Sequence, residues 1–325
     1  MDIYEMVYQR LRDDETLAGM LAVYNGYPAV FYQRAAPAAD KGWESPVQYP
    51  RVDYIIDMME NPARNASGTL SVNACCDTQI GAEPEDIEKR LKELLHVAFA
   101  NTEDYVYVFG WARSDAFEIK KEAEETARTI GVTVTFDIIA CPTQYTLYPD
   151  PVKAVNQWTK KVIPDAFVIG EDTAVTEDGW IVPTKEAPVI YWQIIQQTVT
   201  EQHFAYSWLG IVLDGHVYAQ SSADRLYNLT KLNAEASLIG HMEMEDGSPL
   251  LIRGYKHQPH MDYLKTGQIQ INGMFGVLTR DYPGSPSDMA KPKIDTINAS
   301  YVEDDGGSVI HTLGSTDESG SQTTT

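Results

Sequence analysis

Apolar residues recur along the chain in two periods, and the alternation between those periods predicts an α/β (α+β) fold. Ile3, Val7 and Leu11 fall on one face of a helix over residues 1–12, with Asp2 and Glu5 at capping-box spacing. A second short helix carries Leu17, Met20 and Leu21 and ends near Asn25-Gly26. Strands are predicted at 28–32, 50–59 and 67–76, the last two joined by the polar turn ENPARNA. The clearest helix spans 84–99: Pro84 sits in the first turn, and Ile87, Leu91, Leu94, Leu95 and Ala98 make its apolar stripe. A strand at 104–111 and a charged segment with helical character at 118–129 follow. Then Val132, Val134, Phe136 and Ile138 alternate with polar residues, which is the period of a half-buried strand.

The pattern then begins again. Asp150-Pro151 starts a helix with Val152, Val155, Trp158 and Val162 at helical spacing. Strands follow at 164–170, 187–195 and 205–213. A helix opens at Ser222 as its N-cap, carries Leu226, Leu229, Leu232 and Ala236, and stops before Gly240. Strands at 249–255 and 268–278 close the set. Gly42-Trp43 and Gly179-Trp180 stand 137 residues apart, as do Pro46 and Pro183, and Leu91 and Leu94 precede Leu229 and Leu232 by 138. These offsets predict two tandem, diverged copies of a helix-β-ββαββ module, at 1–148 and 149–281. Residues 282–325 are rich in Pro, Ser, Gly and Thr; they are expected to form a linker and flexible tail, with a short strand at 298–302 that could add to a neighbouring sheet edge.

Composition narrows the function classes. The chain has 325 residues, 43% of them hydrophobic, and a net charge of −22, which disfavours a broad basic face for duplex nucleic acid. No apolar run is long enough for a membrane span, and MDIYEMVYQRLRDDE has no signal-peptide core, so synthesis in the cytoplasm is expected. Three cysteines, Cys75, Cys76 and Cys141, argue against a disulfide framework.

Motifs for nucleophile elbows, phosphate loops, zincins and dinucleotide folds are missing, so neither an enzyme nor a cofactor or metal site is expected. His257, His260 and Asp262, with His241 upstream, have metal-ligand residue types, but Pro259 and Gly254 describe a loop. Asp214-Gly215-His216 reads as a turn between apolar runs. Trp43 and Trp180, each after a glycine, are expected to anchor their modules over the core. The turn at Pro62, Ala63, Arg64 and Asn65 is expected to project and to touch a neighbouring chain.

One resemblance adds to this reading. DDETLAGML, YPAVFYQRAAP and PVQYPRVDYIID, followed by SGTLSVNACC and PEDIEKRLKELL, resemble the tail terminator (tail completion) proteins of long-tailed bacteriophages over residues 1–140. The resemblance implies a structural virion protein, made in the host cytoplasm, whose ring caps the head-proximal end of the tail tube. Its expected partners are itself in a six-fold ring (a hexamer in preference to a trimer of two-module chains), the tube protein and the neck or head-completion protein. DNA would be only passing cargo, and no membrane is involved. Another phage ring, a head–tail connector or distal-tail baseplate hub, is the first alternative; a metal-dependent hydrolase built on His257, His260 and Asp262 is the second.

Overall fold

The first half of the chain forms α1 (Ile3–Arg12), α2 (Glu15–Met20), the short strands β1 (Val23–Tyr24), β2 (Tyr27–Pro28) and β3 (Val30–Tyr32), then β4 (Arg51–Met58), β5 (Gly68–Asp77), α3 (Pro84–Leu95), β6 (Ala98–Asn101), β7 (Val106–Lys120) and β8 (Arg128–Cys141). The second half forms α4 (Pro151–Val162), β9 (Phe167–Val168), β10 (Trp180–Ile181), β11 (Val189–Gln202), β12 (Tyr206–Tyr218), α5 (Ser222–Ala236), β13 (His241–Glu243), β14 (Pro249–His257) and β15 (Ile269–Leu278). Two further strands, β16 (Asn298–Val302) and β17 (Ser308–Thr312), complete the order. The computed structural model describes residues 2–46, 48–59, 67–78, 83–102, 105–120, 128–142, 148–172, 178–203, 206–259, 262–278, 298–302 and 308–312.

The fold is α+β, with two large, mostly antiparallel sheets and two small two-stranded ones, β1-β2 and β16-β17. The first runs β10-β6-β7-β8-β5-β4-β3 and the second β13-β14-β15-β12-β11-β9. With β10 set aside, the two orders match strand for strand. Each sheet has one parallel pair at the same end, β3 with β4 and β9 with β11. Each also has a bulge in the corresponding hairpin, between Trp111 and Arg113 and between Ile252 and Gly254.

Local chemistry explains the helix starts. Asp2 accepts from the Glu5 amide at 2.8 Å and Asp150 from Val152 at 2.8 Å, satisfying amides that the first turn leaves open. Asp14 caps α2 through the Leu17 amide and also takes Arg90 from α3 at 2.5 Å, so its carboxyl is held below the usual range, chiefly by the guanidinium. The N-cap of α5 is Ser221 rather than the expected Ser222. Asn25 and Gly26 both take positive φ, 52° and 79°, and turn β1 back onto β2.

Three cores result. Val7, Leu11, Leu17, Leu91 and Leu95 pack α1–α3 onto Val72, Val134 and Phe136 of the first sheet. Val155, Leu229 and Leu232 pack α4 and α5 onto Ile190, Leu213 and Phe275 of the second. The third core lies between the sheets, where Phe99, Val108, Ile139 and Cys141 meet Ile169, Val189, Tyr191 and Tyr218. Met1–Val277 accordingly form one compact unit, so the boundary expected at 148 does not separate two bodies. Leu278–Thr325 form a second unit, in which β16 pairs antiparallel with β17. The rest of the expected tail, 279–297, 303–307 and 313–325, lies outside the described residues.

Several expectations change. Helix α3 ends at Leu95, and Ala98 belongs to β6. Val97 takes φ 58° at the switch, a conformation that its sequence does not announce. Residues 118–120 continue β7 as strand instead of opening a helix. Trp180 does not anchor its own half. β10 crosses to pair antiparallel with β6, and the Trp180 ring, 3% exposed, lies in the first core 5.4 Å from Phe109. Trp43 is half-buried at the periphery, against Tyr24 and Phe31, and donates its indole N–H to the Pro37 carbonyl at 3.1 Å. It holds its own loop and is not the counterpart of Trp180. Trp180→Ala should therefore destabilise the whole compact unit by about 3–5 kcal/mol, as for other buried aromatic truncations. Urea titration followed by tryptophan fluorescence checks this, and a loss below about 1 kcal/mol would contradict the placement.

Candidate functional site

The expected contact turn at Pro62, Ala63, Arg64 and Asn65 lies outside the described residues. Its base is firmly held: the Met59 amide donates to the Ser67 carbonyl at 2.7 Å, and buried Ser67 accepts the Ala140 amide at 2.9 Å.

The histidine group does not converge. His241 in β13 stands opposite Leu251, whereas His257 at the far end of β14 stands opposite Ile269. Asp262 spends a carboxylate oxygen on the Leu264 amide at 3.0 Å, and His260 is outside the described residues. Among the described residues no group of three His, Cys, Asp or Glu side chains is placed to hold a metal.

Asp214-Gly215-His216 is not a turn. It lies inside β12, and because strand side chains alternate, Asp214 and His216 share a face. Both are buried, at 5% and 3% exposed. His216 Nδ1 is 3.0 Å from the Tyr263 carbonyl, which requires Nδ1–H; Gln193 then donates to Nε2 at 3.2 Å. Asp214 accepts the Gly267 amide at 2.9 Å through one oxygen, while its other oxygen is buried without a partner among the described residues. Asp214 and His216 approach no closer than a 3.8 Å oxygen–nitrogen contact. Burial raises the Asp214 carboxyl and lowers the His216 imidazole, so each favours its neutral form. The pair is sealed between Tyr191, Tyr218 and Tyr263, in a position suited to specifying strand register and not to meeting a substrate.

Cysteines follow the same logic. All three are free and buried, and burial pushes Cys75 to about 12, Cys76 to about 11 and Cys141 to about 12.

What the folded chain does present is backbone. Strand β6 covers β7 only from Val106 to Phe109, and the Trp111 amide is taken by His96 at 3.0 Å. From Ala112 to Ile119 the outer edge of β7 has no strand partner among the described residues. Strand β9 pairs with Val189 and Ile190 of β11, and among the described residues no strand continues that ladder beyond them. The corresponding strands of the other sheet stop sooner, β14 at His257 and β4 at Met58. Exposed Ile119 and Ile195, at 58% and 49%, and Val199 at 57% lie on these two edges. The sequence hid both edges, because 118–129 carried helical charge spacing and the apolar run of β11 ends at Ile195.

No protein-family model matches the sequence, and no curated protein aligns with it significantly.

Two outcomes follow from the buried groups. A thiol reagent at pH 8 should find no reactive cysteine in the native chain and three after denaturation; rapid native labelling would contradict the burial. Unfolded Asp214 ionises near pH 4 and unfolded His216 near 6.5. The raised folded value of Asp214 means that stability is lost as pH rises past about 4, because the folded carboxyl holds its proton longer than the unfolded one. The lowered folded value of His216 means that stability is lost as pH falls below about 6.5. Asp214→Asn removes the first loss, so urea midpoints should shift in favour of the variant between about pH 4 and pH 7. A difference that stays constant with pH would contradict this.

Proposed function

We propose that this chain is a structural ring protein of a bacteriophage tail, of the terminator type, that caps the head-proximal end of the tail tube and joins it to the neck. The observation that carries the reading is the pair of long strands β7 and β11, each of which, among the described residues, runs well beyond the short strand beside it. Long strands of this kind are where chains pair with one another unless their edges are blunted or covered. Their presence on opposite ends of the two like-ordered sheets suits a protein whose work is to assemble.

Three features support the reading. The like strand orders and their matching bulges favour descent from one duplicated module. The chemistry-bearing side chains are spent internally: His216 and Asp214 are sealed and the described histidines are dispersed. The net charge of −22 suits a conduit through which DNA passes without sticking. The partners on this reading are further copies of the chain, the tube protein and the neck, within the virion.

Chains of 36.3 kDa give a ring of about 218 kDa as a hexamer and about 109 kDa as a trimer of two-module chains. Native mass spectrometry should return the larger value, with negative-stain images of rings as wide as a tail tube. A monomer that stays monomeric in the presence of purified tube protein would sink the proposal.

A further inference from the structure

One side of the junction between the two halves is tied by a histidine whose ring nitrogens have separate duties. His96 is the C-cap of α3, immediately before the Val97 switch, and its ring is half-buried. Nδ1 accepts the Trp111 amide at 3.0 Å, at the bulge of β7. An amide N–H only donates, so Nδ1 carries no proton and the neutral ring holds its hydrogen on Nε2. Nε2 faces the Tyr263 hydroxyl at 3.4 Å, in the turn between β14 and β15. The imidazole therefore bridges α3 and β7 of the first half to a turn of the second.

Two cations flank this bridge. Arg225, from the start of α5, lies 3.9 Å over the Tyr263 ring, and Lys92, one turn back on α3, lies 4.0 Å over the Trp111 ring. Lys92 pairs with Glu88 at 2.5 Å, whereas Arg225 donates to the Ser222 hydroxyl at 3.2 Å and has no carboxylate partner among the described residues. The other charges on these elements are spent elsewhere. Arg113 and Asp115 of β7 pair with each other at 3.1 Å, Lys265 of the turn pairs with Asp137, and Asp262 takes the Leu264 amide. Burial, then Arg225, then Lys92 hold the imidazole below its ordinary range.

A proton arriving at Nδ1 would set two N–H donors against each other across 3.0 Å and add a positive charge between Arg225 and Lys92. The ring can take that proton only by turning away from the Trp111 amide, which also parts Nε2 from Tyr263. We propose that His96 is a proton-operated latch: neutral, it fastens the β7 bulge to the β14–β15 turn, and protonated, it releases both and frees this side of the junction. The inference stands on this cluster and does not depend on the ring reading above. Unfolded histidine takes its proton near 6.5 and the folded ring takes it less readily, so the latch contributes fully above about pH 6.5 and loses strength as pH falls below it.

Labelling the full chain with 15N-tryptophan isolates six backbone amides, and Trp111→Phe identifies the one at the bulge. Between pH 8 and pH 5 the Trp111 amide signal should shift with a single midpoint below about 6.5. Its hydrogen exchange, corrected for the intrinsic effect of pH, should lose protection by up to about tenfold for each pH unit below that value. In His96→Gln the side-chain oxygen can accept the same amide at every pH, so both changes should vanish. A Trp111 amide that keeps its position and protection down to pH 5 overturns the proposal. A shift that persists in His96→Gln also overturns it, because the titration then belongs to another group such as His216. If His96→Gln fails to fold, the Cε1 proton of His96 in the unsubstituted chain decides. A midpoint shared with the Trp111 amide supports the latch, and a ring that titrates while that amide stays still overturns it.

Discussion

Burial of the Trp180 indole in the first core depends on a strand pairing that joins the two halves of the chain. β10 adds to β6 with Trp180 opposite Ala100 and Ile181 opposite Phe99, which places the ring beside Phe109 and under the Arg10 guanidinium, 5.2 Å from its centre. Phe99 faces the other way, into the layer between the sheets, where it meets Tyr218 edge-on at 5.0 Å. One short ladder therefore fixes both a helix-covered core and the contact between sheets. The Lys265–Asp137 ion pair at 2.6 Å and the Tyr191 hydroxyl donating to the Pro142 carbonyl at 2.9 Å add polar ties across the same junction.

That junction gives the outer faces of the sheets different tasks. Near the junction the second sheet buries Asp214, His216 and Gln268, groups that each demand a partner at one register. Gln268 closes on the Val217 amide at 2.9 Å, Asp214 on Gly267 and His216 on the Tyr263 carbonyl. A slip of one residue would turn these groups to the opposite face and leave them unsatisfied. Away from the junction the same strands run out into solvent.

Much of the architecture was legible because helices declare themselves locally. Asp2, Asp150 and Pro84 mark starts, and the stripes of α1, α3 and α4 repeat at helical spacing. What was not legible depends on partners distant in sequence. β6 follows α3 without glycine or proline, because pairing with β7 and β10 decides where the helix must stop. The Gly42-Trp43 and Gly179-Trp180 pairs look equivalent along the chain, yet one lies on a surface loop and the other in a core built by the opposite half. Asp214-Gly215 has turn composition, but Gly215 is there because the Trp192 ring lies against its Cα, where a side chain would collide. How far β7 and β11 outrun β6 and β9 was hidden for the same reason, because it is set by pairing with strands distant in sequence.

The crossing of β10 also sets an order of events on the ribosome. When Asn101 at the end of β6 has been made, the strand that will cover it is still untranslated, and the cavity for the indole stays unfilled until Trp180 appears. At elongation rates of about 5–20 residues per second that interval lasts roughly 4–16 s. The nascent first sheet therefore spends seconds with its β6 flank bare while its neighbours on the polysome hold the same flank bare. The late insertion of one tryptophan is the step that marks the first sheet as complete.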